Sequence, residues 1–167
     1  MRETVLARVK AFRRALEMAR DRSDECCDLP RGCELKHFPR GSCDLASHFL
    51  AQYLRDSDPT LLPEIIFMEP TQSYRDGNKS TVKRHVIVAL DEEYIDLTLD
   101  QFDEHNHPVL IEGKSGTLGT MLCEIEKSGG NIERREVNIY ATKEDEEDKE
   151  KQLYNWLKHT ADRLLNE

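Results

Sequence analysis

The run HVIVAL, residues 85–90, constrains this chain most, because every position after its histidine is apolar. Six residues are too few for a buried helix. An unbroken apolar run rich in Val and Ile fits a central strand, whose two faces are both covered. The next segment, YIDLTL (residues 94–99), alternates cleanly, with Ile95, Leu97 and Leu99 opposed to Tyr94, Asp96 and Thr98. That is the pattern of a strand with two unlike faces. Residues 64–68, PVLIEG (108–113) and EVNIYAT (136–142) are further strand candidates, and TQSYRDGNKST (71–81) reads as a polar loop.

Helical periodicity occupies both ends. Val5, Val9, Phe12, Leu16 and Ala19 form an apolar stripe whose opposite face is basic. Residues 23–41 hold Pro30, Gly32, Pro39 and Gly41 and read as an irregular connection. A second helix begins near Cys43, with Leu45, Ala46, Phe49, Leu50 and Tyr53 on one side. Ser42 is its expected N-cap, and Asp44 in the first turn suits the positive end of the dipole. Residues 117–128 fit a short helix or a strand. A last helix over 144–166 carries Leu153, Trp156, Leu157, Thr160 and Leu164 as its stripe. The layout predicts an α+β fold, a mostly antiparallel sheet flanked by helices. With 167 residues the chain is expected to form one domain, 1–167.

Charge and cysteines narrow the function. A formal net charge of −9 argues against nucleic acid as a general partner. No secretory apolar segment follows Met1 and no run reaches membrane-spanning length, so no membrane association and a cytoplasmic address are expected. Five cysteines, two of them adjacent, fit reduced thiols better than a disulfide framework.

Three residues stand out by position: Cys43 opens a helix, His85 opens the central strand and Asp96 lies within the next one. Burying an unpaired carboxylate is costly, so Asp96 calls for a partner. A helix N-terminus favours a thiolate. A histidine within reach takes the thiol proton and returns it to a leaving group, and a carboxylate on the far ring nitrogen fixes the tautomer. The thiol's own backbone N–H would help bind an oxyanion.

FPRGSCDLASHFLAQYL (38–54) together with HVIVALDEEYIDLTLDQF (85–102) resembles small bacterial members of the transglutaminase-like, papain-related superfamily. Lasso-peptide leader peptidases and arylamine N-acetyltransferases belong to that group. Its small members show F-P-x-G-x-C before a helix, then H-x-W and a hydrophobic residue, then I-D-hydrophobic-T-x-D-Q-F. The resemblance covers about residues 36–112 and implies Cys43 as nucleophile, His85 as base and Asp96 as orienting acid. DLTLDQF (96–102) is its most specific phrase. Ile87 stands where the family usually has an aromatic, and the Asp44 carboxylate beside Cys43 is expected to oppose thiolate formation.

Register decides whether the pair can meet. A Glu92–Glu93 turn places Asp96 opposite Ala89, an offset from His85 of roughly 13 Å at about 3.3 Å per residue. A turn centred on Leu90–Asp91 places His85 directly opposite Asp96. Only the second register, or a bulge, is expected to join them.

Other candidates are weaker. Cys26, Cys27, Cys33 and His37 lack zinc-knuckle spacing. His105 and His107 read as a solvated turn, and His48 as a surface or interhelical residue pointing away from Cys43. Gln101 and Ser42 are possible borders of the site, Asp100 a structural residue, Phe102 core and Cys123 buried. KEDEEDKEK (143–151) reads as a solvated helix start. The expected function is cysteine-dependent acyl transfer on a protein or peptide substrate: Cys43 forms a thioester, without metal or tightly bound cofactor. The alternative is a catalytically inactive protein-binding module of the same fold. An acetyl-CoA-dependent transferase is disfavoured by the shortness of the chain.

Overall fold

The structure is a computed structural model that describes the backbone of residues 2–140 and 147–167, with side chains described from 151 onward in the last helix. Its helices are α1 (Glu3–Asp21), α2 (Ser23–Cys26), α3 (Cys43–Ser57), α4 (Gln72–Asn78), α5 (Thr117–Lys127) and α6 (Glu147–Leu165). Its strands are β1 (Glu64–Glu69), β2 (His85–Leu90), β3 (Glu93–Asp96), β4 (Leu110–Gly113) and β5 (Asn131–Arg135). They form one antiparallel sheet in the order β4-β3-β2-β1-β5. This is an α+β fold, and HVIVAL is its middle strand, buried at every position.

Both faces of β2 are covered, as its composition demands. Val86, Val88 and Leu90 join Ile65, Ile95 and Leu97 beneath α1, α3 and α6. Ile87 and Ala89 join Ile66 and Met68 beneath α4 and α5, through Tyr74, Leu118, Met121 and Ile125. Each large apolar side chain buried this way contributes about 1.5–3 kcal/mol relative to exposure. The stripe read in α1 is buried at Val5, Val9, Phe12, Leu16 and Ala19. Phe12 stacks on Tyr53 of α3, ring centroids 5.1 Å apart. Hydroxyl groups tie α3 to α6: Tyr53 donates to Asp162 at 2.8 Å and Tyr154 to Asp56 at 2.5 Å.

Several expectations are corrected. TQSYRDGNKST contains α4, because the Thr71 hydroxyl caps it by accepting from the Tyr74 N–H at 3.2 Å, while Tyr74 is buried. The segment 23–41 is not wholly irregular, holding α2 and a 3₁₀ turn, Gly32–Leu35. Gly32 is essential there, since a Cβ would lie 1.6 Å from the Cys26 carbonyl oxygen. The ambiguous segment 117–128 is α5. EVNIYAT forms no strand over 136–140, and its remaining residues lie outside the described ones. The strand is the preceding NIERR, β5, largely exposed and charged, as edge strands often are. YIDLTL stops being a strand at Asp96, since the Asp96 carboxylate takes the Thr98 N–H at 2.8 Å and turns the chain. Cys123 is exposed rather than buried. The expected start of the last helix at 144, and most of KEDEEDKEK, fall outside the residues whose side chains are described; α6 is helical from Glu147. Among the described residues no helix is long and apolar enough to cross a membrane.

Candidate active site

Helix α3 carries Cys43 to the start of β2. The buried Ser47 hydroxyl donates to the Val86 carbonyl at 2.9 Å, and Cys43 lies one helical turn earlier on the same side. Ser42 occupies the N-cap position but does not cap. Its hydroxyl donates instead to the Glu34 and Arg40 carbonyls, at 2.8 and 3.2 Å, and no side-chain cap forms there. The first-turn N–H groups of α3 are therefore not consumed by the residue expected to cap them. Ser42 itself is fully buried, so it fixes the loop before the thiol rather than bordering a cleft.

The β2–β3 hairpin pairs Val88 with Ile95, Ala89 with Tyr94 and Leu90 with Glu93. Its turn is therefore Asp91–Glu92, with Asp91 in the left-handed region at φ 54°. This register lies between the two considered from sequence. Continued by one residue, it sets Asp96 opposite Ile87, two residues from His85 on the same face. Such diagonal neighbours are about 7–8 Å apart at the backbone, a gap that long side chains span. His85 Nε2 and Asp96 Oδ2 meet at 2.5 Å, both side chains wholly buried, without a bulge.

The other Asp96 oxygen accepts from Thr98 N–H, and Gln101 Nε2 donates to the Thr98 carbonyl at 3.0 Å. Gln101 thus braces the turn that holds the carboxylate. Phe102 meets the His85 ring edge-on, centroids 5.2 Å apart. Because Nε2 faces Asp96, it is Nδ1 that remains for the thiol. That nitrogen is buried with no well-aligned hydrogen bond among the described residues, while Cys43 is close enough to act electrostatically on the ring. Catalytic hydrogen bonds are often loose before substrate binds and tighten afterwards. Burial opposes protonation of His85, but the Asp96 charge and hydrogen bond outweigh it. With Cys43 adding in the same sense, the pKa is pushed up to about 10.

Asp44, next to Cys43, is paired with basic partners. Its carboxylate meets His48 Nε2 at 3.5 Å and Arg31 at 3.2 Å, and these partners hold its pKa below the ordinary value against the opposing effect of burial. His48 is not a surface residue. It is buried, and its Nδ1 accepts the Asn138 N–H at 2.9 Å, leaving Nε2–H to donate to Asp44. Ile87 lies in the core beneath α5. Cys27 and Cys33 share the loop before α3, with the Cys33 thiol 3.6 Å from the Cys27 carbonyl. Among the described residues no cluster of three or more His, Cys, Asp or Glu side chains is arranged to hold a metal.

Sequence reasoning missed Arg13. It is 6% exposed and donates to both oxygens of Asp100 at 2.9 Å, to the Leu97 carbonyl at 2.6 Å and to the Pro108 carbonyl at 3.2 Å. Its guanidinium also lies 4.6 Å from the Phe38 ring centroid. One side chain from α1 therefore clamps the DLTLDQF turn, and gives Asp100 its structural role. The signal was present: position 13 is four after Val9 and three before Leu16, on the apolar stripe rather than the basic face.

No family model matches the chain, and no solved structure matches it. The chain is similar to the uncharacterized protein YuaU of Escherichia coli strain K12, at 36% identity over 107 residues. The YuaU protein of strain UTI89 matches to the same extent. The match covers 63% of this chain and 45% of each relative, so the chain spans about half the length of the curated relatives it matches.

Proposed function

We propose that this chain is a cysteine-dependent hydrolase or acyltransferase with a transglutaminase-like, papain-related core, acting on a peptide or amide bond. The observation that carries the reading is the buried His85–Asp96 pair at the start of β2, with Cys43 acting on the ring of that histidine. A raised imidazole pKa favours the imidazolium, and an imidazolium supports a neighbouring thiolate. The thiolate attacks the substrate carbonyl carbon, and the carbonyl electron pair moves onto oxygen. First-turn N–H groups of α3 are suited to bind that oxyanion. On collapse, the C–N bond breaks and the His85 Nδ1 proton goes to the departing amine, leaving a thioester on Cys43. Water attacks the thioester with His85 as base and releases the acid; an amine in its place completes a transfer. Asp96 holds the ring's orientation throughout and does not itself exchange a proton.

Iodoacetamide labelling at neutral pH, read by mass spectrometry, tests the nucleophile. Cys43 is expected to alkylate faster than free cysteine and faster than exposed Cys33 and Cys123. Cys43→Ala is expected to keep the circular dichroism spectrum and lose turnover of a fluorogenic peptide-amide library. Alkylation no faster than free cysteine would refute an activated thiol and leave the inactive binding module as the better reading.

A further inference from the structure

The loop before α3 brings two thiols together. Its backbone turns close tightly: the Leu29 N–H donates to the Cys26 carbonyl at 3.0 Å, and the Gly32 N–H to the Leu29 carbonyl at 2.9 Å. Gly32 packs against the Cys26 carbonyl, in space that only a residue without a Cβ can occupy. That packing folds the 3₁₀ turn, with Cys33 in it, back onto the end of α2, where Cys27 stands. The Cys33 thiol reaches the Cys27 carbonyl at 3.6 Å. Interaction with the Cys33 thiol, ahead of burial, holds the Cys27 thiol above its ordinary pKa. Two cysteines that already lie side by side are bridged without backbone movement.

The two differ in access. Cys33 is exposed and Cys27 half-buried, whereas the adjacent Cys26 is buried. Neither Cys27 nor Cys33 has a part in the chemistry of Cys43, His85 and Asp96. Their loop nevertheless runs to the start of α3. Arg31, between the two cysteines, donates to the Asp44 carboxylate at 3.2 Å, and the Glu34 carbonyl takes the Ser42 hydroxyl at 2.8 Å.

We propose that Cys27 and Cys33 form an oxidation site, which closes to a reversible disulfide when the chain meets a peroxide, with Cys33 the thiol attacked first. The Cys33 sulfur takes one peroxide oxygen as the O–O bond breaks, giving a sulfenic acid and releasing water. The Cys27 sulfur then attacks the Cys33 sulfur, the S–O bond breaks and a second water leaves. The two thiols supply two electrons, and the peroxide accepts both. A dithiol reductant reopens the bond. The closed ring spans Arg31, so oxidation fastens the loop that reaches Asp44.

The full chain is treated with hydrogen peroxide and dimedone, its remaining thiols are blocked with iodoacetamide, and its peptides are mapped by tandem mass spectrometry before and after dithiothreitol. The native chain is expected to lose two hydrogens in a Cys27–Cys33 disulfide that dithiothreitol removes. Exposed Cys123, which has no such neighbour, is expected to give the dimedone adduct of a sulfenic acid instead. Cys27→Ser is expected to move that adduct onto Cys33, and Cys33→Ser to leave Cys27 free for iodoacetamide. Cys43→Ala is expected to form the disulfide as the native chain does. Because the thiols already adjoin, the circular dichroism spectrum is expected to be the same before and after oxidation. A dimedone adduct on Cys33 in the native chain without the disulfide would overturn the proposal. So would a disulfide that survives in Cys27→Ser, one that is lost in Cys43→Ala, or one that forms only after urea unfolds the chain.

Discussion

Replacing Arg13 by Met tests how the candidate site is held, because a residue of the first helix fixes a turn more than eighty positions away. The Arg13 side chain is 8% exposed, while those of Asp100 and Glu17, its acidic partners, are 18% and 22% exposed. Breaking a fully buried ion pair by deleting one partner costs about 3–5 kcal/mol. Both carboxylates here reach water in part, which reduces that share to about 2 kcal/mol. The Leu97 and Pro108 carbonyls lose a charged donor, adding about 1–2 kcal/mol together. Met fills most of the volume, so no large cavity is added. The sum is about 3–4 kcal/mol, which for a chain of this size lowers the melting temperature on the order of 10 °C. Urea unfolding monitored by circular dichroism measures the loss directly. Arg13→Lys keeps the charge without the planar fork and is expected to lose about half as much. A loss under about 1 kcal/mol for Arg13→Met would refute the claim that this clamp holds the DLTLDQF turn.

The His85–Asp96 pair makes stability depend on pH with a definite sign. His85 is raised from 6.5 to about 10, so its contribution is fully present below about pH 6.5 and is lost as pH rises toward 10. Imidazole ¹⁵N NMR is expected to show a protonated ring at pH 8 in the native chain and a neutral one in Asp96→Asn; a neutral ring in both would sink the assignment. Ser47→Ala removes the buried bond between α3 and β2 and is expected to cost about 1 kcal/mol in urea unfolding, and to slow alkylation of Cys43. Gly32→Ala sets a methyl against the Cys26 carbonyl and is expected to cost about 1–3 kcal/mol; an unchanged melting temperature would show that the loop moves freely to admit it.

Apolar pattern made several elements legible in advance. The α1 and α3 stripes were readable because each buries a face whose spacing repeats, and the middle strand because its unbroken apolar run is buried at every position. α4 was not, since it has two turns and little apolar content, and its cap at Thr71 lies inside a string of polar residues. β5 was not, because an edge strand is stabilised by pairing with β1 while its side chains remain charged and exposed. Ser42 was expected to cap because of its type and position, and nothing local indicates that the Glu34 carbonyl draws its hydroxyl away.

By itself the sequence determined that Cys43 opens a helix, that His85 heads a strand buried on both faces, and that Asp96 needs a partner. These follow from periodicity and from the cost of burying charge, which are local properties. Tertiary structure alone decided that Asp96 reaches His85, because the Asp91–Glu92 turn sets a diagonal offset that residue spacing leaves open. Packing alone also turned Asp44 toward Arg31, and brought Arg13 across to Asp100. Each of those contacts joins side chains through space, where the chain's own order carries no distance.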